Sequence, residues 1–236
     1  MDISVILGGS SAWIVEFARG TFMTVTVAIC SFTVGVLLGS AFAAAKLSRF
    51  GSLRFMADVY TTVVRGIPEL LIIFLVFFGG STLLRYVTNA VFGFSGYIEL
   101  PVFTVGILCI GVSAGAYATE VIRAAVMAIP AGQIEAAVAM GMPRPVLFRR
   151  ILIPQAARFA LPGLGNVWQL ALKDTSLISV VGLVEIMRTA AIGAGSFKEP
   201  FTFYLAAFVI FLVLSSISNR GFLRAEKWAN RGVRSR

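Results

Sequence analysis

Five apolar stretches, most of them near the 20 or so residues that a helix needs to cross a bilayer, leave this chain few folds to choose from. They run from about Thr21 to Ala45, from Thr61 to Leu84, from Val102 to about Ala118, from about Phe159 to Leu172, and from Phe201 to Ser218. The second is interrupted by Arg65-Gly66-Ile67-Pro68-Glu69. The fourth is short and carries Pro162, Gly163 and Gly165. Composition agrees with a lipid environment: 58% of residues are hydrophobic and 13% charged, against about 45–50% and about 25% in a soluble domain. The expectation is an all-α integral membrane protein with about five transmembrane helices. No repeat, low-complexity tract or linker divides it, so residues 1–236 read as one domain with its core at about 20–220.

Charge orients the spans. Lys46, Arg49 and Arg54 lie between the first and second, and Arg123, Arg144, Arg149, Arg150 and Arg158 between the third and fourth. Arg220, Arg224, Lys227, Arg231, Arg234 and Arg236 follow the last. The opposite loops hold Arg85 with Glu99, and Arg188 and Lys198 with Glu185 and Glu199. The positive-inside bias places the N-terminus outside and the C-terminus in the cytoplasm. Asp2, Glu16 and Arg19 make no basic leader before the first span, which reads as a retained helix.

The net charge of +9 follows from these loops and needs no nucleic acid to explain it. Cys30 and Cys109 sit within apolar spans and read as small buried hydrophobes. Without histidine the chain lacks the commonest metal ligand and general base. Gly35 with Gly39, and Gly111 with Gly115, have the small-xxx-small spacing that lets helices approach closely.

The segment 130–154 falls on the cytoplasmic side. Pro130 suits a helix start, Ile134 to Met140 favours helix, and Gly141 followed by Pro143 is a stop. Pro145 then opens a second short helix, Val146 to Leu152. The product is a helix–turn–helix elbow. Ala136, Ala137 and Ala139 give it a closely approachable face, with Glu135 supplying one negative charge and Arg149 and Arg150 two positive ones. Such a surface suits the docking of another protein.

Its spacing is Glu-Ala-Ala, three residues, Gly, nine residues, then Ile-x-x-Pro, here Glu135, Ala136, Ala137, Gly141, Ile151 and Pro154. This resembles the EAA motif of permease subunits of bacterial ABC importers, with Ile153 where leucine is usual. Arg65 to Leu70, Ala116 to Glu120, and Leu161 to Asn166 resemble the polar amino acid permeases, nearest the Q-type subunits of the histidine, arginine and opine importers. The resemblance implies residence in the bacterial inner membrane and docking of the elbow on a pair of ATPase subunits. It also implies a second permease subunit, copy or paralogue, and a periplasmic substrate-binding protein. The chain would bind no cofactor itself, with ATP and Mg used by the ATPase. It has no Gly-Lys dipeptide and hence no phosphate-binding P-loop, which fits that division of labour.

The substrate path is written less clearly. Asn166, Gln169, Lys173 and Ser176 fall within about a quarter of a helical circumference, with Asp174 and Thr175 beside them. A lysine at the centre of a membrane helix costs about 2.5–3.5 kcal/mol, so Lys173 should face water or a partner charge. If the helix unwinds there, freed carbonyls would hold a substrate ammonium and Lys173 a carboxylate. The competing reading puts Lys173 and Asp174 at the outer interface, merely ending the helix. Arg65 and Glu69, four apart, either form an i,i+4 pair or line the path or a subunit interface. A self-sufficient secondary transporter or channel is the alternative class, and it leaves the Glu-Ala-Ala spacing unexplained. A membrane enzyme would have few clustered carboxylates to work with.

Overall fold

The computed structural model describes residues 11–92 and 100–231. Asp2, Glu99, Arg234 and Arg236, which entered the charge pattern above, lie outside them. All the regular structure among the described residues is helical. That is expected in hydrocarbon, where each segment must satisfy its own backbone hydrogen bonds.

Helix α1, Ser11–Lys46, begins ten residues before the apolar stretch that announces it, with an exposed Glu16–Arg19 ion pair of 2.8 Å near its start. Helix α2, Gly51–Gly66, is a separate helix rather than part of the second span. That span begins at Glu69, because Ile67 (ψ 136°) and Pro68 (ψ 134°) are both extended. Proline disfavours helix in the residue before it, which is enough to break the chain here. Arg65 and Glu69 therefore sit on different helices, which removes the i,i+4 pair and leaves the alternatives of a path or subunit-interface lining. Helix α3 comprises Glu69–Phe74, a π-helical turn Leu75–Gly79, and Gly80–Phe92. Helix α4, Val102–Met127, starts after Pro101 and runs past the apolar stretch to include Glu120 and Arg123.

Helix α5, Ala131–Ala139, is the first arm of the elbow. The second arm is no short helix. Arg144–Leu147, a π turn Phe148–Leu152, and Ile153–Asp174 run on as one rod, α6, so the fourth span is long rather than short. Proline at 154 has no N–H for the usual bond to residue 150, and the wide π turn immediately before it absorbs that loss. After Asp174 the chain tightens into a 3₁₀ segment, Thr175–Val181. Helix α7, Ile186–Phe197, follows at a 47° bend and was not foreseen. Helix α8, Pro200–Ala229, extends eleven residues beyond its apolar stretch, so Arg220, Arg224 and Lys227 belong to a helix and not to a loose tail.

The centre of the bundle is the pairing of α1 with α4, its most extensive helix contact. Both glycine pairs lie in it. A Cβ on Gly35 would stand 2.8 Å from the Ala114 Cβ, and one on Gly39 2.6 Å from that of Ala118. Gly111 faces Val34 in the same way, and Gly115 faces the Tyr60 hydroxyl and Leu38. Tyr60, from α2, donates to the Val112 carbonyl at 2.7 Å and stacks on Phe42. Val27, Ile73, Ile110, Val167 and Ile178 complete this core from α1, α3, α4, α6 and the 3₁₀ segment. A second cluster gathers Trp13, Phe17 and Phe197 about the fully buried Phe203, joining the first part of α1 to α7 and α8. Outward-facing Phe22, Leu37, Phe78 and Phe208 are each more than half exposed, the surface a lipid solvent requires.

Candidate functional site

The elbow is shaped by one turn. Helix α5 is preceded by Pro130 and ends at Met140, after which Gly141 adopts φ 73°. The Gly141 N–H donates to the Val138 carbonyl at 2.9 Å and the Met142 N–H to the Ala137 carbonyl at 3.0 Å. Those two bonds define a Schellman stop, whose left-handed residue favours glycine. Pro143 then holds extended backbone (ψ 141°) and α6 begins. Gln155 donates to Gln133 at 2.6 Å, tying the two arms together.

Burial corrects the expected alanine face. Ala137 is buried and, with Leu147, anchors the inside of the elbow. Glu135, Ala136, Ala139, Gly141, Arg149, Arg150 and Pro154 are exposed, and Ile151 is partly buried. Val138, Met140 and Phe148 are also strongly exposed, Met140 at 82%. A cluster of exposed apolar side chains beside two arginines suits a protein partner better than either lipid or water.

The second constellation gathers around α4, against which α2, α3 and α6 each pack. Asp174, at the end of α6, is half-buried and leads into the 3₁₀ segment on which Glu69–Phe74, the start of α3, packs. The helix does not unwind here. Thr175 and Ser176 donate their hydroxyls to the Leu172 and Lys173 carbonyls at 2.8 and 2.7 Å, so those acceptors are not free for a substrate ammonium. The polar stripe divides in role. Gln169 donates to the Ser215 carbonyl at 3.1 Å, fastening α6 to α8, whereas Asn166 is exposed. Lys173 and Ser176 line a cleft of about 420 Å³ against Met187, Phe208, Phe211, Leu212 and Ser215. Lys173 and Asp174 thus open onto different surroundings, as neighbours on a helix do.

Arg65, at the end of α2, lays its guanidinium 5.3 Å over the Tyr117 ring. With Lys46, Thr61, Thr62, Gly66, Tyr117 and Glu120 it lines a cleft of about 410 Å³. Beside that cleft is a network that sequence reasoning missed. Lys46, its side chain only 10% exposed, reaches Glu120 at 2.6 Å and Asp58 at 2.9 Å, while Arg123 holds the other Glu120 oxygen at 2.8 Å. The Arg123–Glu120 pair is visible as an i,i+3 spacing. The Lys46–Glu120 contact spans 74 residues and had no local signal. Lys46→Met should destabilise the protein by about 2–3 kcal/mol, somewhat less than a fully buried pair because Asp58 stays exposed. Thermal unfolding in detergent measures this, with Lys46→Arg expected to keep most of the stability. A Lys46→Met protein that melts like wild type would show the network to be idle.

Glu185 is likewise not the loop charge that the sequence suggested. It is fully buried, caps α7 by accepting from the Arg188 N–H at 2.8 Å, and lies 3.4 Å from the Thr24 hydroxyl of α1. The signal available was its place just before a helix-favouring run, although glutamate is not a usual cap.

A multi-pass helical bundle with an exposed elbow between two spans is the build of a transporter's membrane subunit. A family model described as "Binding-protein-dependent transport system inner membrane component" matches residues 35–227, and the chain belongs to that family. It is 72% identical, over all of both chains, to the nopaline transport system permease protein NocQ of Agrobacterium fabrum. It is 39% identical to the histidine/lysine/arginine/ornithine transport system permease protein HisQ of Escherichia coli, over 92% of this chain and 94% of that one. Among solved structures, an amino acid ABC transporter superposes with a TM-score of 0.81 at 28% identity, covering 96% of this chain and 99% of that one. The chain is therefore a multi-pass inner-membrane permease component of an ABC transport system, a family that works with an ATPase and a substrate-binding protein.

Proposed function

We propose that this chain is the permease subunit of an importer for arginine-derived opines and related basic amino acids, working by alternating access. The observation that carries this reading is the 72% identity to the nopaline permease along the full length of both chains. Opines of this kind combine a guanidinium with additional carboxylates. The carboxylates Glu69 and Asp174, at the ends of elements that meet at the 3₁₀ segment, suit the cationic end, and the cations Lys173 and Arg65, each lining its own cleft, suit the anionic one. Asn166 and Ser176 complete the polar surround of the path, whereas Thr175, expected beside them, is fully buried and supports it only from within.

Energy enters through the elbow. Glu135, Ala136, Gly141, Ile151 and Pro154 shape a docking surface for an ATPase pair that hydrolyses Mg-ATP, with Ala137 supporting it from within. Because α6 is one rod from the elbow to Asp174, a push at residues 130–154 is delivered directly to the substrate path. The basic residues Lys46, Arg49, Arg54, Arg149 and Arg150 favour placing the elbow in the cytoplasm and the N-terminus outside. A second permease subunit completes the pathway, and a periplasmic protein delivers substrate.

Asp174→Asn should lower nopaline uptake by about tenfold or more, since it removes a charge-assisted contact to the substrate cation. Lys173→Ala should impair uptake as well. In both variants the assembled complex should still co-purify with its ATPase. Normal uptake of nopaline by both variants in reconstituted vesicles would remove these residues from the path.

A further inference from the structure

We propose that the cleft between α2 and α4 is a carboxylate-binding station for the transported molecule, with Arg65 as the group that reads the carboxylate. This rests on the import reading above and deepens it by dividing the substrate's two ends between two places.

Three cations, Lys46, Arg65 and Arg123, and two carboxylates, Asp58 and Glu120, lie in or beside the cleft. Geometry assigns both carboxylates. Asp58 and one Glu120 oxygen are held by Lys46, and the other Glu120 oxygen by Arg123. Arg65 is left with no carboxylate partner among the described residues and lies over the face of Tyr117. A guanidinium held over an aromatic face by a cation–π contact spends none of its N–H donors on that contact, and those donors can take a carboxylate in bidentate fashion. An unpaired arginine is costly against lipid, so its presence beside a polar cleft points to an aqueous path.

The surroundings distinguish Arg65 from Lys173. The Lys173 cleft is walled mainly by Met187, Phe208, Phe211 and Leu212; of its two serines, Ser176 already donates to the Lys173 carbonyl, which leaves the Ser215 hydroxyl. The Arg65 cleft adds the Thr62 hydroxyl, the Tyr117 phenol and the open backbone at Gly66. A Cβ on Gly66 would meet nothing within 4 Å, so the wall there is open to a ligand. Only Ile67 and Pro68 separate Gly66 from Glu69, the acidic residue that opens α3 where that helix packs on the 3₁₀ segment after Asp174. A cation site and an anion site are thus joined by one extended dipeptide. A molecule carrying a guanidinium at one end and carboxylate at the other matches that pair of sites, whereas a simple amine matches only the acidic one.

The test is equilibrium binding to the purified, complete transporter in nanodiscs with the binding protein omitted, so that its own selectivity does not intervene. The probes are L-arginine and agmatine, which is arginine without its carboxylate. Arg65→Gln should weaken arginine binding about tenfold or more and change agmatine binding less than twofold, with Arg65→Lys recovering part of the loss. Equal weakening of both ligands would mean a structural role for Arg65 and would overturn the proposal, as would unchanged arginine binding. Displacement of arginine by excess inorganic phosphate in wild type but not in Arg65→Gln would also overturn it, revealing a general anion site. If the wild-type complex binds no arginine yet drives ATP-dependent uptake, the station is refuted while the import reading stands.

Discussion

Gly39→Leu should leave little folded protein in the membrane. A Cβ at this position would lie 2.6 Å from the Ala118 Cβ, 3.0 Å from the Ala118 carbonyl carbon and 3.1 Å from the Thr119 nitrogen. Two of those atoms are backbone in the middle of α4, so no side chain can rotate away. The helices must separate, and Gly35 one turn earlier is pressed against Ala114 and Gly115 in the same way. Overpacking of a tight core costs about 1–3 kcal/mol, and a leucine against a rigid helix belongs at or beyond the upper end. Separation would also disturb the Tyr60–Val112 hydrogen bond and the Lys46–Glu120 bridge, which cross onto α4 on either side of Gly115 and Ala118. Membrane yield of a fluorescent fusion, compared among Gly39→Ala, Gly39→Leu and wild type, measures the effect. The order should be wild type, alanine, then leucine, and a leucine variant accumulating like wild type would contradict close packing of α1 on α4.

Gly141→Val should separate ATP hydrolysis from transport. Gly141 holds φ 73° and has no neighbour within 4 Å of a Cβ, so crowding is not the issue. The cost is in the backbone, about 1–2 kcal/mol for an ordinary residue in the left-handed region and more for a β-branched one. Relieving it means opening the turn, losing the two Schellman hydrogen bonds and swinging α5 away from α6. Asparagine tolerates this conformation better, so Gly141→Asn should be mild. Gly141→Asp should be worse than asparagine despite similar shape, because it adds charge to the docking face. In the reconstituted transporter, uptake should fall by about tenfold or more for valine, with ATPase association weakened or substrate-stimulated hydrolysis lost. Valine and asparagine variants that couple equally well would remove the turn from the coupling route.

What the sequence reveals and conceals follows from range. Apolar runs, the Gly141-x-Pro143 stop and the two glycine pairs are local signals, and each appears in the structure close to where it was read. The helix ends were less legible. Charged residues such as Arg123 and Arg224 look like loop in a hydropathy reading, yet a helix continues into water without difficulty. Pro154 looked like a boundary, but the π turn before it keeps α6 continuous, and no residue pattern marks a π turn. Arg65 and Glu69 looked like a pair at helical spacing until Pro68 is given its full weight. The Lys46–Asp58–Glu120 network, the packing of Glu69–Phe74 on the 3₁₀ segment and the Glu185–Thr24 contact join distant segments, and only the packed bundle brings them together.

Transport through this chain is expected to depend wholly on energy supplied by a partner. The most direct measurement is uptake of radiolabelled nopaline into liposomes of two kinds. One holds this chain alone, and the other holds it with its companion permease, ATPase, binding protein and Mg-ATP. The account predicts accumulation only in the complete system, abolished when ATP is withheld. Accumulation in liposomes holding the chain alone would contradict it.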